Sequence, residues 1–200
     1  MASVETKVKR KYEAETLGQF LRKIAIDYLR YGYSRYAFRT IPYGKDLYEI
    51  DAKIIKAYGC TFSRPLRLDR RRKGLANVVY IRFGQRFILV ASVGSHDAFA
   101  KIDFLDFHTS PLHIDGYTIG LKRGKPCVMI KPSRFKLLRK ELLSISLHNE
   151  NKVLNRFNAL SPFRFTEIIR QKRKLLAEIN RKRHTAGLAR ISLDLRFTKK

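Results

Sequence analysis

Two β-rich runs, 77–83 and 86–92, face each other across Gly84–Gln85. Strand formers on both sides of a two-residue, glycine-containing turn close a hairpin by local geometry alone. This feature constrains the fold most. It commits the middle of the chain to antiparallel pairing, so the flanking segments must cover a sheet. A second hairpin is expected at 116–122 and 127–131, turning through Arg123–Gly124–Lys125. Arg35–Ile41 reads as a short strand stopped by Pro42.

The helices follow from apolar periodicity. Leu17, Phe20, Leu21, Ile24, Ala25 and Tyr28 repeat at helical spacing and stop at Gly32. Asp46 is placed to cap a second helix, with Leu47, Ile50, Ile54, Ile55 and Tyr58 on one face and Gly59 just past its end. Pro132–Ser133 opens a third, with Phe135, Leu138, Leu142 and Ile145 aligned. A last helix is expected over about 162–184, burying Phe165, Ile168, Ile169, Leu175, Leu176 and Ile179. Residues 60–76 read as a connector and 94–115 as irregular chain.

The sum is an α+β fold: a mainly antiparallel sheet of about five strands, two hairpins among them, with amphipathic helices packed on it and a basic C-terminal helix. The expected organisation is a flexible basic arm at 1–13, a core domain at 14–148, and a basic helix and tail at 149–200, packed on or extending from that core.

Charge sets the partner class. The 200 residues hold 43 Lys and Arg against 17 Asp and Glu, a formal net charge of +26. With 44% hydrophobic residues the chain has material for a core, so it is not a disordered basic tail. A folded chain with this surplus repels itself unless a polyanion compensates, and nucleic acid is the commonest one. No apolar run reaches membrane-spanning length, and no apolar stretch follows the basic start as in a secretory signal. Two cysteines, Cys60 and Cys127, lack CxxC spacing, so an intracellular, reduced setting is expected.

Three clusters concentrate the cations. Arg64, Arg67, Arg70, Arg71, Arg72 and Lys73 form the densest run, opposed only by Asp69. Lys131, Arg134, Lys136, Arg139 and Lys140 surround the start of the third helix. Arg170, Arg173, Lys174 and Arg181 recur on the outer side of the last helix. Guanidinium and ammonium groups with too few acids at home suit phosphates, whose neutralisation releases counterions. Tyr28, Tyr31, Tyr33 and Tyr36 crowd beside Arg30 and Arg35. Tyr31 and Tyr33, flanking Gly32, are the expected base stackers with Arg35, which favours RNA or single strands over duplex DNA.

Residues 96–115 oppose this pattern. They hold His96, Asp97, Asp103, Asp106, His108, His113 and Asp115, with Lys101 the only Lys or Arg. Imidazoles and carboxylates beside a phosphate surface can bind Mg²⁺ and cleave a phosphodiester, and they can also act as acid and base without metal. The spacing matches no HxH or HExxH pattern. The six residues Leu112–Tyr117 resemble the acidic end of the helix motif of LAGLIDADG homing endonucleases; Pro111 departs from that pattern, and no residue role is carried over.

The leading expectation is a non-catalytic nucleic-acid-binding protein without cofactor, gripping phosphates with its Arg/Lys clusters. The alternatives are a divalent-metal nuclease using 96–115, of the mobile-element-encoded kind, and a structural component of a ribonucleoprotein. Oligomeric state stays open.

Overall fold

A computed structural model of the chain describes residues 10–193 and 195. Two units make it up, Met1–Ser110 and Pro111–Lys200, so the division falls inside the segment 14–148 that reads from sequence as one core. Both units combine helices with antiparallel strands, as the α+β expectation requires. The strands form two sheets, of four and three strands, in place of one of about five.

In the first unit α1 (Leu17–Arg22) is capped by Thr16, whose hydroxyl accepts the Gln19 N–H. It runs on as a π-helical segment, Lys23–Tyr28, and a 3₁₀ turn, Leu29–Tyr31, and ends at Gly32 with φ +84°. The stop expected at Gly32 is therefore present. The sheet order is β2 (Val78–Phe83), β3 (Arg86–Ala91), β1 (Arg35–Thr40), β4 (Leu105–Asp106). The β2–β3 hairpin pairs Phe83 with Arg86 around Gly84 at φ +58°.

Alternation along the strands covers both sheet faces. Ala37, Tyr80, Leu89 and Ala91 are buried with Val78 and Phe87, and α2 (Leu47–Ala57) lays Leu47, Ile50, Ile54 and Ile55 on that side. Asp46 caps α2 through the N–H groups of Tyr48 and Glu49, at 2.7 and 3.1 Å, a contact worth about 1 kcal/mol. Val79, Ile81, Ile88 and Val90 are buried on the alternate positions, and α1 packs on β2.

Two expectations are corrected here. Residues 60–76 are not a connector: Arg64–Arg72 is a helix, α3, capped by Ser63 with Pro65 in its first turn. Nor are 10–13 loose chain. Tyr12 and Ala14 exchange backbone hydrogen bonds with Arg82, at 2.9 and 2.7 Å, and Arg10 lies 3.8 Å from the Tyr48 ring centre. Residues 1–9 of the expected arm lie outside the described residues. The short helix α4 (Ala98–Lys101) follows the hairpin.

The second unit opens with a three-stranded meander, β5 (Leu112–Ile114), β6 (Tyr117–Lys122) and β7 (Lys125–Ile130). Both turns place two consecutive residues at positive φ: Asp115 and Gly116 at +45° and +79°, Arg123 and Gly124 at +52° and +72°. That is the type I′ geometry whose twist matches paired strands. Leu112–Tyr117 is thus a hairpin and not a helix end, which removes the homing-endonuclease resemblance. The helices α5 (Pro132–Ser144), α6 (Glu150–Asn158) and α7 (Thr166–Thr185) enclose Leu142, Val153, Phe157, Leu160, Leu175 and Ile179. α6 adds a helix within the segment 149–200, where one basic helix and a tail are expected, and α7 begins four residues later than expected.

Candidate nucleic-acid interface

No residue of α3 is buried, and its arginines divide into two sets. Arg70 donates Nη2 to the Ala76 carbonyl at 2.9 Å and lies 4.5 Å from the Phe62 ring centre. Arg71 donates to the Tyr31 carbonyl at 2.9 Å and sits 5.1 Å from the Tyr33 ring. The Arg67 charge and a hydrogen bond act on the half-buried Tyr28 hydroxyl. These three are the helix's attachments. Arg64 and Arg72 are exposed, and Lys73 pairs with Asp69 at 3.0 Å. A solvent-facing helix held on by arginine is possible because guanidinium carries five donors and an apolar stem.

The stacking set shrinks. Tyr33 is buried, edge-on to Tyr28 at 5.4 Å, and cannot take a base; Tyr36 is buried against Phe107. Tyr31 is 61% exposed and Tyr43 93%. Arg35 lies 5.1 Å from the Phe99 ring.

A cleft of about 430 Å³ lies beside α3, lined by Tyr58, Phe62, Arg70, Ser95, His96, Asp97 and Lys101 among others. His96 Nδ1 accepts the Ala98 N–H at 3.0 Å. Burial, then the Arg70 charge, lowers its imidazole pKa below the ordinary value. The Nε of Arg70 is buried without a hydrogen-bond partner among the described residues.

The rest of the His/Asp segment is scattered. Asp97 and Asp103 are exposed, and Asp97 makes no cap bond at the start of α4. Asp106 turns its Oδ1 onto the His108 N–H at 2.7 Å. His108 is exposed. His113 belongs to the second unit, where its Nδ1 meets Thr118 Oγ1 at 2.9 Å. Among the described residues no three His, Cys, Asp or Glu are grouped to hold a metal ion.

The second unit holds the larger surplus, with 22 Lys and Arg against 6 Asp and Glu; the first has 21 against 11. Three of its glutamates are engaged within the unit. Glu141 pairs with Arg156 across α5 and α6. Glu178 takes Arg139 at 2.6 Å, and Glu167 takes Arg170 and, at 3.6 Å, Lys122. Arg134 donates to the Asp115 carbonyl at 3.0 Å over the β5–β6 turn, and Arg173 to Leu195 at 2.9 Å. Lys140, Lys174 and Arg181 are exposed and have no acid partner among the described residues. Arg170, Lys174 and Arg181 stand at i, i+4 and i+11 on α7, a stripe about 16 Å long at 1.5 Å per residue. Beyond it Arg181, His184 and Arg190 line a shallow groove.

No protein-family model, curated protein or solved structure matches this chain. The reading of its surface therefore rests on its own chemistry. No helix among the described residues is long and apolar enough to cross a membrane.

Two residues that support the basic face escape sequence reasoning. The Gln171 amide closes the β7 edge, accepting from Ile130 N–H at 2.9 Å and donating to Ile130 O at 3.0 Å, so α7 is pinned in register on the sheet. Arg183 is buried and donates to Ala189 O at 2.7 Å and to Ser146 O and His148 O at 2.9 Å each. Its place in the helical repeat, between apolar positions 179 and 186, is the only signal.

Proposed function

We propose that this chain binds nucleic acid through its phosphates, with the second unit as the principal grip. The observation that carries this reading is the exposed stripe on α7, where Arg170 is held by Glu167 but Lys174 and Arg181 meet no acid among the described residues, in a unit where Glu141, Glu167 and Glu178 are already engaged. Lys174 and Arg181, with Lys140 on α5, offer charge that no acid among the described residues neutralises. Arg64 and Arg72 on α3 add a smaller patch on the first unit. Arg67, Arg70 and Arg71 serve mainly to seat α3. The preference for RNA or single strands rests on Tyr31, exposed beside Arg71.

The test is fluorescence anisotropy with matched single- and double-stranded RNA and DNA over a range of salt. With about eight phosphates engaged, log K falls against log salt with a slope near −6 to −7. The double reversal Lys174→Glu, Arg181→Glu lowers affinity at least tenfold and flattens the slope by about 2. A salt-independent signal overturns the reading. A lasting place in a ribonucleoprotein uses the same chemistry, and co-purification with one RNA at fixed stoichiometry identifies it. The nuclease reading has no assembled constellation behind it among the described residues.

A further inference from the structure

The cleft of the first unit is lined by two unlike sets of side chains. One is apolar and aromatic: Ala57, Tyr58, Phe62 and Leu75. The other presents polar and charged groups: Arg70, Ser95, His96 and Lys101, with Asp97 beside them. Its volume, about 430 Å³, lies within the range of small-ligand sites. We propose that this cleft holds one nucleotide, its phosphate on Arg70, His96 and Lys101 and its base along Tyr58 and Phe62. The proposal deepens the nucleic-acid reading and rests on it for the source of the ligand: a free nucleoside monophosphate or the phosphorylated end of a strand.

Three local arrangements prepare the polar set. Phe62 and the Ala76 carbonyl hold the Arg70 guanidinium plane, using one of its five N–H groups; its buried Nε is still without a partner. The Ala98 N–H occupies His96 Nδ1, so the neutral ring carries its proton on Nε2 and is a fixed donor. Lys101, exposed at the end of α4, supplies a second cation. Arg70 and Lys101 against Asp97 leave one net positive charge, which suits a phosphate. The Asp97 carboxylate is an acceptor for a ribose hydroxyl or an exocyclic amine. The aromatic set has its own constraint: a Cβ at Gly59 meets Phe62 Cζ at 3.3 Å, and Gly59 stands at φ +59°, so a side chain there displaces the ring.

The experiment titrates the full chain with adenosine 5′-monophosphate, adenosine and inorganic phosphate by calorimetry. In parallel, anisotropy compares a 12-nucleotide RNA bearing a 5′-phosphate with the same RNA bearing a 5′-hydroxyl. Expected is binding of the monophosphate at least fivefold tighter than adenosine or phosphate. Lys101→Ala and His96→Asn each weaken it at least fivefold; both are partly exposed, and Asn keeps an acceptor for Ala98. If strands enter by their ends, the 5′-phosphate RNA binds at least threefold tighter than its hydroxyl twin, and Lys101→Ala erases the difference. If the ligand is the free nucleotide, the two RNAs bind alike while the monophosphate titration stands. No binding of the monophosphate together with equal binding of both RNAs overturns the cleft and leaves the α7 grip intact. Phosphate binding as tightly as the monophosphate also overturns it, because the aromatic set then does nothing. Absence of RNA binding with the monophosphate still bound overturns the nucleic-acid reading and supports the cleft as a nucleotide site.

Discussion

Arg82 donates its Nε to both carboxylate oxygens of Asp51, at 2.9 Å each, and neither side chain reaches solvent. The Tyr80 hydroxyl donates to the same carboxylate at 2.5 Å, and Arg82 also reaches Glu13 at 3.0 Å and the Gly84 carbonyl at 3.1 Å. Burial, then the bond to Asp51, pushes the Tyr80 phenol well above its ordinary pKa, so it stays a donor. One cluster thus joins α2, the first hairpin and the segment before α1.

Asp51→Ala therefore takes from a buried cation the fully buried one of its two counter-charges and leaves only Glu13. A loss of about 3–5 kcal/mol in urea unfolding is expected. The double change Asp51→Leu, Arg82→Met recovers much of it, because an apolar pair removes both charges together. A loss below about 1 kcal/mol for Asp51→Ala means that water reaches the cluster.

Arg181 and Arg183 stand two residues apart on α7 and do different work. Arg183→Ala abandons three carbonyls, that of Ser146 buried, and costs at least about 2 kcal/mol in thermal unfolding, with partial rescue by Lys. Arg181→Ala stays within about 0.5 kcal/mol of the parent, as exposed positions do, and weakens polyanion binding. The opposite pairing of effects refutes the assignment of the outer stripe.

His96 links stability to pH. Burial and the Arg70 charge hold its folded pKa below the ordinary value near 6.5, so the unfolded chain binds the extra proton first. The stabilisation is present above about pH 6.5 and is lost as pH falls through the folded value. Protonation also takes away the acceptor for the Ala98 N–H. Unfolding midpoints of the parent measured from pH 7.5 to 5 drop more steeply than those of His96→Asn. Parallel curves place the proton elsewhere.

Burial pushes the Cys60 thiol up to about 12 and raises that of Cys127 as well. At pH 8 roughly one Cys60 thiol in ten thousand is ionised, against about one in four for a free cysteine. Iodoacetamide should label both slowly in the native chain and rapidly in 6 M guanidinium. Fast native labelling of Cys60 means that its surroundings open.

Elements with their own periodicity were legible in the sequence. The 77–92 hairpin, the Asp46 cap and the Gly32 stop depend on neighbours along the chain, and all three are present. Asp115–Gly116 between apolar runs is an equally strong turn signal, but the acids and histidines around it read as chemistry and hide the strand pair. The run 64–73 reads as connector because its charges dominate. Arginine is nevertheless a good helix former, and Ser63 with Pro65 marks a helix start. Tyr33 and the inward arginines of α3 could not be placed from pattern, since long cationic side chains count as surface by default. Their burial is decided by carbonyls and rings far away in the chain, as Tyr31 is from Arg71. Where the cations lie was thus readable, and which of them are already engaged was not.

α3 is fastened by guanidinium groups to carbonyls and aromatic rings, with no carboxylate at those contacts. Ionic strength screens charge against charge, and it acts far more weakly on a short contact between a cation and a neutral dipole. Salt that strips a polyanion from the exposed cations therefore leaves this helix docked. On the proposed nucleic-acid reading, the ligand would leave in strong brine and the α3 patch would return to low salt already assembled, needing no refolding to bind again.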